Sequence, residues 1–141
     1  LPRTSLLKSI TTGKLLQSGV DMELVLESVI PWLFSRDFVS NPHQVAAKKE
    51  EMMKNPYPQS INGFIGQINA LETFDSTSFL SSIPHPLLLL AGEEDLSTPP
   101  WCAKLLHNHL PHSTLHFFPR MGHMAHVEKR DEVIALINSF F

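Results

Sequence analysis

The chain has 141 residues, of which 43% are hydrophobic and 18% are charged, and this composition is typical of a globular domain with one core. Its net charge is −3 with acidic and basic residues interspersed, so the sequence has no basic patch of the kind that binds nucleic acid. The longest apolar run, residues 87–91, is far shorter than the ~20 residues that cross a bilayer. We therefore expect neither a membrane helix nor a nucleic-acid partner.

The single cysteine, Cys102, excludes an intrachain disulfide, and we expect a cytoplasmic protein. The chain begins Leu-Pro-Arg-Thr, without an initiator methionine and without the charged and apolar pattern of a signal peptide. This beginning favours a fragment or a processed chain.

The first half of the sequence predicts helices. Apolar residues recur at helical spacing over about residues 6–16, 24–30 and 61–71, and the residues at 41–44 predict the start of another helix that runs to about residue 55. Gly19 suits the end of the first helix, and Asp21 can cap the second. Pro31 is expected to interrupt the second helix, because proline lacks the backbone N–H that an interior position donates. Asn41 followed by Pro42 is a favourable start for the third helix.

The second half alternates between strands and helices. Apolar runs predict strands over residues 86–91 and 114–118, and helical patterns follow over about residues 98–110 and 130–141. This order implies two parallel strands joined by a crossover helix. The first strand is apolar on both faces, which predicts a sheet covered on both sides. We predict a helical region over residues 1–75 and an α/β region over residues 76–141.

Two loops at strand ends carry the residues best suited to chemistry. Asp95 follows the first strand and His123 follows the second. The carboxyl ends of parallel strands meet at one edge of a sheet, where ligands bind in open α/β folds. A carboxylate bonded to one imidazole nitrogen fixes the tautomer, and the other nitrogen can then take a proton from a nucleophile. We predict that Asp95 and His123 form such a pair.

These segments resemble one known family. Residues 86–100, PLLLLAGEEDLSTPP, resemble the strand and acid loop of α/β-hydrolases, and residues 118–128, FPRMGHMAHVE, resemble their histidine loop. The last nine residues, VIALINSFF, are similar to the final helix of that fold. The helical first half is similar to the family's cap. Its motifs PWLFS and GQINA fit the branch that contains enol-lactonases and carboxylesterases.

The resemblance implies a partial α/β-hydrolase fold, with Asp95 as the triad acid and His123 as the general base. It implies an acyl substrate, such as an ester or a lactone, and no cofactor. The sequence contains no Gly-x-Ser-x-Gly elbow and no His-Gly oxyanion loop. The nucleophile, whether Ser, Asp or Cys, is therefore expected outside this chain, and the chain alone is expected to be inactive. A non-catalytic module that binds a ligand or partner is the alternative.

Other residues carry weaker predictions. Trp32, Phe34 and Met124 are candidates for contact with substrate, although ordinary packing explains aromatic residues equally well. Glu128 is expected to start a helix or form an ion pair, and His126 is expected to be structural or exposed to solvent. A zinc site is not expected, although four histidines are close in sequence: His107, His109, His112 and His116.

The predicted strand at residues 86–91 has a further consequence. With only two strands, one of its edges has unpaired backbone N–H and C=O groups, and such an edge invites pairing with another chain. We expect either a homodimer formed through this strand or pairing with an N-terminal segment that completes the sheet.

Overall fold

The computed structural model describes residues 1–141, which form two compact units. The helical unit comprises Leu1–Pro31 and Phe38–Phe74, and the α/β unit comprises Trp32–Asp37 and Asp75–Phe141. None of the helices combines the length and the apolar character that crossing a bilayer requires. Residues 32–37 are assigned to the α/β unit, whereas the sequence suggested a helical region that continued to residue 75. Their hydrogen bonds to the loops of the α/β unit explain the assignment.

The first part of the chain forms the predicted helices and one short additional helix. They are α1 (Arg3–Gln17), α2 (Met22–Leu33), α3 (Arg36–Val39), α4 (Pro42–Met53) and α5 (Ile61–Thr73). Helix α1 packs on α5 at Gly13, where an added Cβ would lie 3.3 Å from Ile68. The glycine therefore allows the two helices to approach closely.

Local capping residues set the ends of these helices. The side chain of Asn41 accepts hydrogen bonds from the backbone N–H groups of His43 and Gln44, and Pro42 occupies the first turn, as predicted. Gly19, at φ 71°, lies just beyond the end of α1 in the left-handed conformation that glycine adopts readily.

Pro31 does not end α2, which continues to Leu33, so the expected interruption was wrong. The helix ends two residues after Pro31. The proline therefore removes only one hydrogen bond in the last turn, and this position is less costly than the middle of a helix.

The α/β unit has the strand and helix order that the sequence predicts. Its elements are a 3₁₀ turn (Leu80–Ser82), β1 (Leu87–Gly92), α6 (Pro100–His109), β2 (Ser113–Phe118), α7 (Ala125–Glu128) and α8 (Arg130–Phe140). The two strands are parallel, with Leu87 opposite Ser113 and Gly92 opposite Phe118. The predicted α/β class, with two parallel strands in a partial fold, is confirmed.

The core of the α/β unit lies between β2 and α8. It consists of Phe118, Met121, Ala125 and Val133, with Leu90 and Leu136 packed against it. The four leucines of β1 are only partly buried, although their sequence predicted a strand covered on both sides. With one neighbouring strand in place of two, β1 keeps part of its apolar surface exposed.

Candidate active site

Asp95 and His123 meet beyond the carboxyl ends of β1 and β2. The Nδ1 atom of His123 lies 2.8 Å from Oδ2 of Asp95, across 28 residues of sequence. The side chain of Asp95 is 5% exposed and that of His123 is 38% exposed. The carboxylate is therefore fixed in the protein, and the ring is open to solvent.

The loop after β1 wraps around the carboxylate of Asp95. Its Oδ1 atom accepts the backbone N–H groups of Ser97 at 2.7 Å and Thr98 at 2.8 Å. The hydroxyl of Thr98 donates to Oδ2 at 2.8 Å and also lies 3.3 Å from Nδ1 of His123. Thr98 was not predicted from the sequence as a residue of the site. The spacing Asp-x-x-Thr could have indicated it, because an Asp side chain in a turn can accept the backbone N–H groups of the residues that follow it.

These contacts hold Asp95 as an anion. Burial raises the pKa of Asp95, but the hydrogen bonds from His123 and from Thr98 outweigh it, and the pKa lies below its usual value. A carboxylate that stays ionised in this position keeps a proton on Nδ1 of the ring. His123 then presents Nε2 as the nitrogen that accepts a proton.

Two glycines bring three backbone segments together at this site. A Cβ on Gly92 would lie 2.2 Å from the carbonyl oxygens of Met121 and Gly122. A Cβ on Gly122 would lie 2.5 Å from the carbonyl carbon of Phe34 and 2.7 Å from the nitrogen of Ser35. The absence of a side chain at Gly92 and Gly122 therefore allows three backbone segments to pack directly on one another. These segments are the end of β1, the loop before His123 and residues 33–35.

A cavity of about 520 Å³ adjoins the pair and runs along β1. Asp95, Thr98 and His123 line one part of it, and residues 88–92 line the length of the strand. His126, which the sequence favoured as structural or exposed, also lines it and is exposed to solvent. Cys102 lies on the α6 side of the same cavity.

The structure does not bring the three predicted substrate contacts into this cavity. Phe34 is 3% exposed and therefore packed inside the unit. Trp32 accepts a hydrogen bond from Ser97 through its carbonyl group, and the backbone N–H of Met124 donates to Leu33. Their contact with substrate stays a prediction. No three histidine, cysteine or carboxylate side chains are grouped so as to hold a metal ion.

Known proteins resemble the chain both in sequence and in fold. It is 37% identical over 70 residues to a proline iminopeptidase of Lactobacillus acidophilus, which covers 50% of this chain and 24% of the relative. It is 29% identical over 126 residues to a RutD protein of Pseudomonas syringae pv. syringae, described as a carbamate hydrolase, covering 89% of this chain and 48% of the relative. No protein-family model matches the chain.

Solved structures match almost the whole chain. The α/β-hydrolase MGS-M2, from a Medee basin deep-sea metagenome library, has a TM-score of 0.85 at 24% identity and covers 99% of this chain and 51% of its own. The enol-lactonase of Burkholderia xenovorans LB400 has a TM-score of 0.76 at 17% identity, covering 93% of this chain and 48% of its own. This chain thus spans about half the length of these structures, and about a quarter and about half of the two sequence relatives.

The match to about half of each of these structures defines the fold of this chain as a partial α/β-hydrolase fold. The sequence relatives that the chain matches are hydrolases.

Proposed function

We propose that this chain supplies the acid and the histidine of a hydrolase active site that cleaves an ester, a lactone or a related acyl bond. The observation that carries the proposal is the 2.8 Å hydrogen bond between Nδ1 of His123 and Oδ2 of Asp95 at adjacent strand ends. The α/β-hydrolase fold, together with matched relatives that are hydrolases, supports the reaction class.

Each residue of the pair has one role in the proposed reaction. Nε2 of His123 removes the proton from the nucleophile as it attacks the acyl carbon, and later returns that proton to the leaving group. Asp95 keeps the ring in the Nδ1–H tautomer and stabilises the imidazolium that forms between these two steps.

The nucleophile and the oxyanion donors are expected on a segment outside this chain. The 141 residues contain no Gly-x-Ser-x-Gly sequence. The matched structures have about twice the length of this chain, which leaves room for such a segment in proteins of this fold. In the proposed enzyme, that segment and this chain each contribute part of one site.

The free edge of β1 is the proposed place of contact with that segment. β1 pairs only with β2, so its other edge has no strand partner. The cavity of about 520 Å³ runs along β1 and is also lined by residues of α6 such as Cys102 and by Val133 of α8. Apolar side chains of the flanking helices are also exposed, among them Trp101 at 56% and Ile134 at 44%.

We infer that a parallel strand of the nucleophile-bearing segment pairs with β1. Such a strand would form hydrogen bonds with the free backbone N–H and C=O groups of β1 and would cover part of its exposed leucines. Its own carboxyl end would lie toward Asp95 and His123. A second copy of the chain would satisfy the edge but would bring no Gly-x-Ser-x-Gly elbow, because the sequence has none. The dimer that the sequence also suggested is therefore an outcome to be tested against this proposal.

The coding DNA upstream of Leu1 and the activity of the chain provide the main test. We expect an in-frame segment with a nucleophile elbow after a predicted strand. The protein that includes it should hydrolyse p-nitrophenyl esters and lose several orders of magnitude in rate on His123→Ala. The 141-residue chain alone should show no turnover. Turnover by the chain alone that His123→Ala abolishes would contradict the external nucleophile.

Cys102 gives a direct probe of the β1 edge because it is the only cysteine and lines the cavity. A thiol reagent should label it in the 141-residue chain and label it far more slowly in the longer protein. Equal labelling in both would contradict strand pairing at this edge. Protection in the short chain, together with a dimer mass by light scattering, would assign the edge to a second copy.

A further inference from the structure

Residues 32–37, called here the bridging segment, contact the loop that contains Asp95. The hydroxyl of Ser97 donates to the carbonyl oxygen of Trp32 at 2.8 Å. The backbone N–H of Arg36 donates to the carboxylate of Glu94 at 3.0 Å. The acid loop is thus tied to the bridging segment from both sides of Asp95.

The same segment is tied to the loop that contains His123. The backbone N–H of Met124 donates to the carbonyl oxygen of Leu33 at 2.8 Å. The carboxylate of Glu128 accepts the backbone N–H of Ser35 at 3.1 Å, the hydroxyl of Ser35, and the backbone N–H of Gly122 at 3.3 Å. One carboxylate, 93 residues from Ser35 in sequence, therefore joins the bridging segment to the loop before His123.

We propose that Glu128 is a positioning residue for His123. It fixes the N–H of Gly122, the residue immediately before His123, to the bridging segment, which is itself bonded to the acid loop. Through these bonds it sets the distance between Nδ1 of His123 and Asp95.

The partners of Glu128 distinguish this role from the expected helix start or ion pair. All three are N–H or O–H groups of neutral residues, and none is a cation. Ser35 is 1% exposed, so its groups depend on protein partners rather than on water.

The catalytic value of this positioning rests on the proposed hydrolase function. The position of the His123 ring relative to Asp95 does not depend on that function. The state of the His123 ring can be measured in the chain without any substrate. A failure of the hydrolase proposal would leave this measurement unchanged, so the two proposals can fail separately.

The test is ¹⁵N NMR of the histidine rings in the 141-residue chain, recorded where the rings are neutral. Unsubstituted protein should show His123 as the Nδ1–H tautomer, with slow exchange of that proton. Glu128→Ala should increase the Nδ1–H exchange rate about tenfold, the factor that corresponds to one lost hydrogen bond, and mix the tautomers. Glu128→Gln should restore slow exchange, because its oxygen can accept both N–H groups and its amide can donate to Ser35.

Two further variants complete the design. Ser35→Ala removes a single bond to the carboxylate and should produce a smaller acceleration, which preserves the test if Glu128→Ala does not fold. Glu132→Ala removes a nearby exposed carboxylate of α8 and should leave the ring unchanged. A folded Glu128→Ala protein with an unchanged His123 ring would overturn the proposal. Unchanged exchange in Ser35→Ala where Glu128→Ala does not fold, or equal acceleration in Glu132→Ala, would also overturn it.

Discussion

The helix caps of the helical unit and the candidate site of the α/β unit depend on hydrogen bonds over different distances in sequence. In the helical unit, the side chain of Asn41 accepts N–H groups two and three residues ahead, and Ser60 accepts the N–H of Gly63, three residues ahead. These bonds form within single turns of chain, and each can be recognised in the sequence as a helix cap.

In the α/β unit, Asp95 also accepts nearby N–H groups, those of Ser97 and Thr98, but other bonds of the candidate site connect distant segments. The bond between Asp95 and His123 spans 28 residues, the bond from Arg36 to Glu94 spans 58, and those from Ser35 to Glu128 span 93. Side-chain oxygens accept N–H groups in both units, but in the α/β unit those of Glu94 and Glu128 place one segment against another. The difference shows that helix ends here depend on neighbouring residues, whereas the candidate site depends on the assembled fold.

The largest expected effect of a substitution follows from this contrast. Gly92→Ala would place a Cβ 2.2 Å from the carbonyl oxygens of Met121 and Gly122. Because both contacts are backbone, the loop before His123 must move, and we expect a loss of about 3 kcal/mol or more in the free energy of unfolding. Urea unfolding followed by tryptophan fluorescence measures it, since Trp32 and Trp101 both lie in the α/β unit.

Gly66→Ala is the matched control in the helical unit. Gly66 lies inside α5, and an added Cβ would meet nothing within 4 Å. The same substitution should therefore stabilise the helix, by about 0.5–1 kcal/mol, because alanine restricts the unfolded chain more than glycine does. Destabilisation of similar size in both variants would contradict the contrast between the units.

Asp95 predicts a dependence of stability on pH. Its pKa is lower in the folded protein than in the unfolded chain, so the folded state binds its proton less readily. The stability it contributes is therefore complete above the unfolded pKa of about 3.9 and is lost as the pH falls through the folded pKa. Asp95→Asn should cost about 2 kcal/mol at neutral pH, the scale of a hydrogen bond to a charged group.

The measurement is urea unfolding of both proteins from neutral pH down to about pH 3, where carboxylates become protonated. The two stabilities should converge as the pH falls. Asp75→Asn serves as the control, because Asp75 also has a lowered pKa through hydrogen bonds from Thr77 but is exposed. Its effect should be smaller, since exposed carboxylates contribute little. A constant difference between Asp95→Asn and the unsubstituted protein at every pH would contradict the assignment.

The sequence predicted what local patterns determine. The caps, the helix stripes and the two strands correspond to the observed elements within a few residues. Strand order alone predicted that Asp95 and His123 would share a sheet edge, because parallel strands end on the same side. Pro31 was misjudged because its effect depends on how much helix remains after it, and the pattern did not show where α2 ends.

The remainder of the site required the assembled structure. The sequence could not assign residues 32–37 to the α/β unit, because no local pattern shows that Ser35 bonds to Glu128. The role of Gly122 was hidden for the same reason, since the backbone it contacts belongs to Phe34 and Ser35. In the sequence, the only sign of such a long-range backbone contact is a glycine or a carboxylate. Both residue types are common in ordinary loops, so they do not indicate the contact.

The two units also differ in how they use the left-handed backbone conformation. In the helical unit, Gly19 adopts φ 71° at the end of α1, where glycine is free of strain. In the α/β unit, Arg120 adopts φ 58° in the turn that leads from β2 to His123. That turn is closed by the backbone N–H of Met121, which donates to the carbonyl of Phe118 at 3.4 Å. An arginine there carries a steric cost that a glycine would not.

Opposite substitutions at these two positions give the smallest predicted effects. Arg120→Gly should stabilise the α/β unit by about 0.5–1 kcal/mol, because relief of the backbone exceeds both the added freedom of the unfolded chain and the loss of the exposed ion pair with Asp37. Gly19→Ala should destabilise the helical unit by about 1 kcal/mol. Far-UV circular dichroism in urea measures both, and Asp37→Asn isolates the ion pair. A loss of stability in Arg120→Gly that Asp37→Asn reproduces would show that the charge, rather than the backbone, governs this turn.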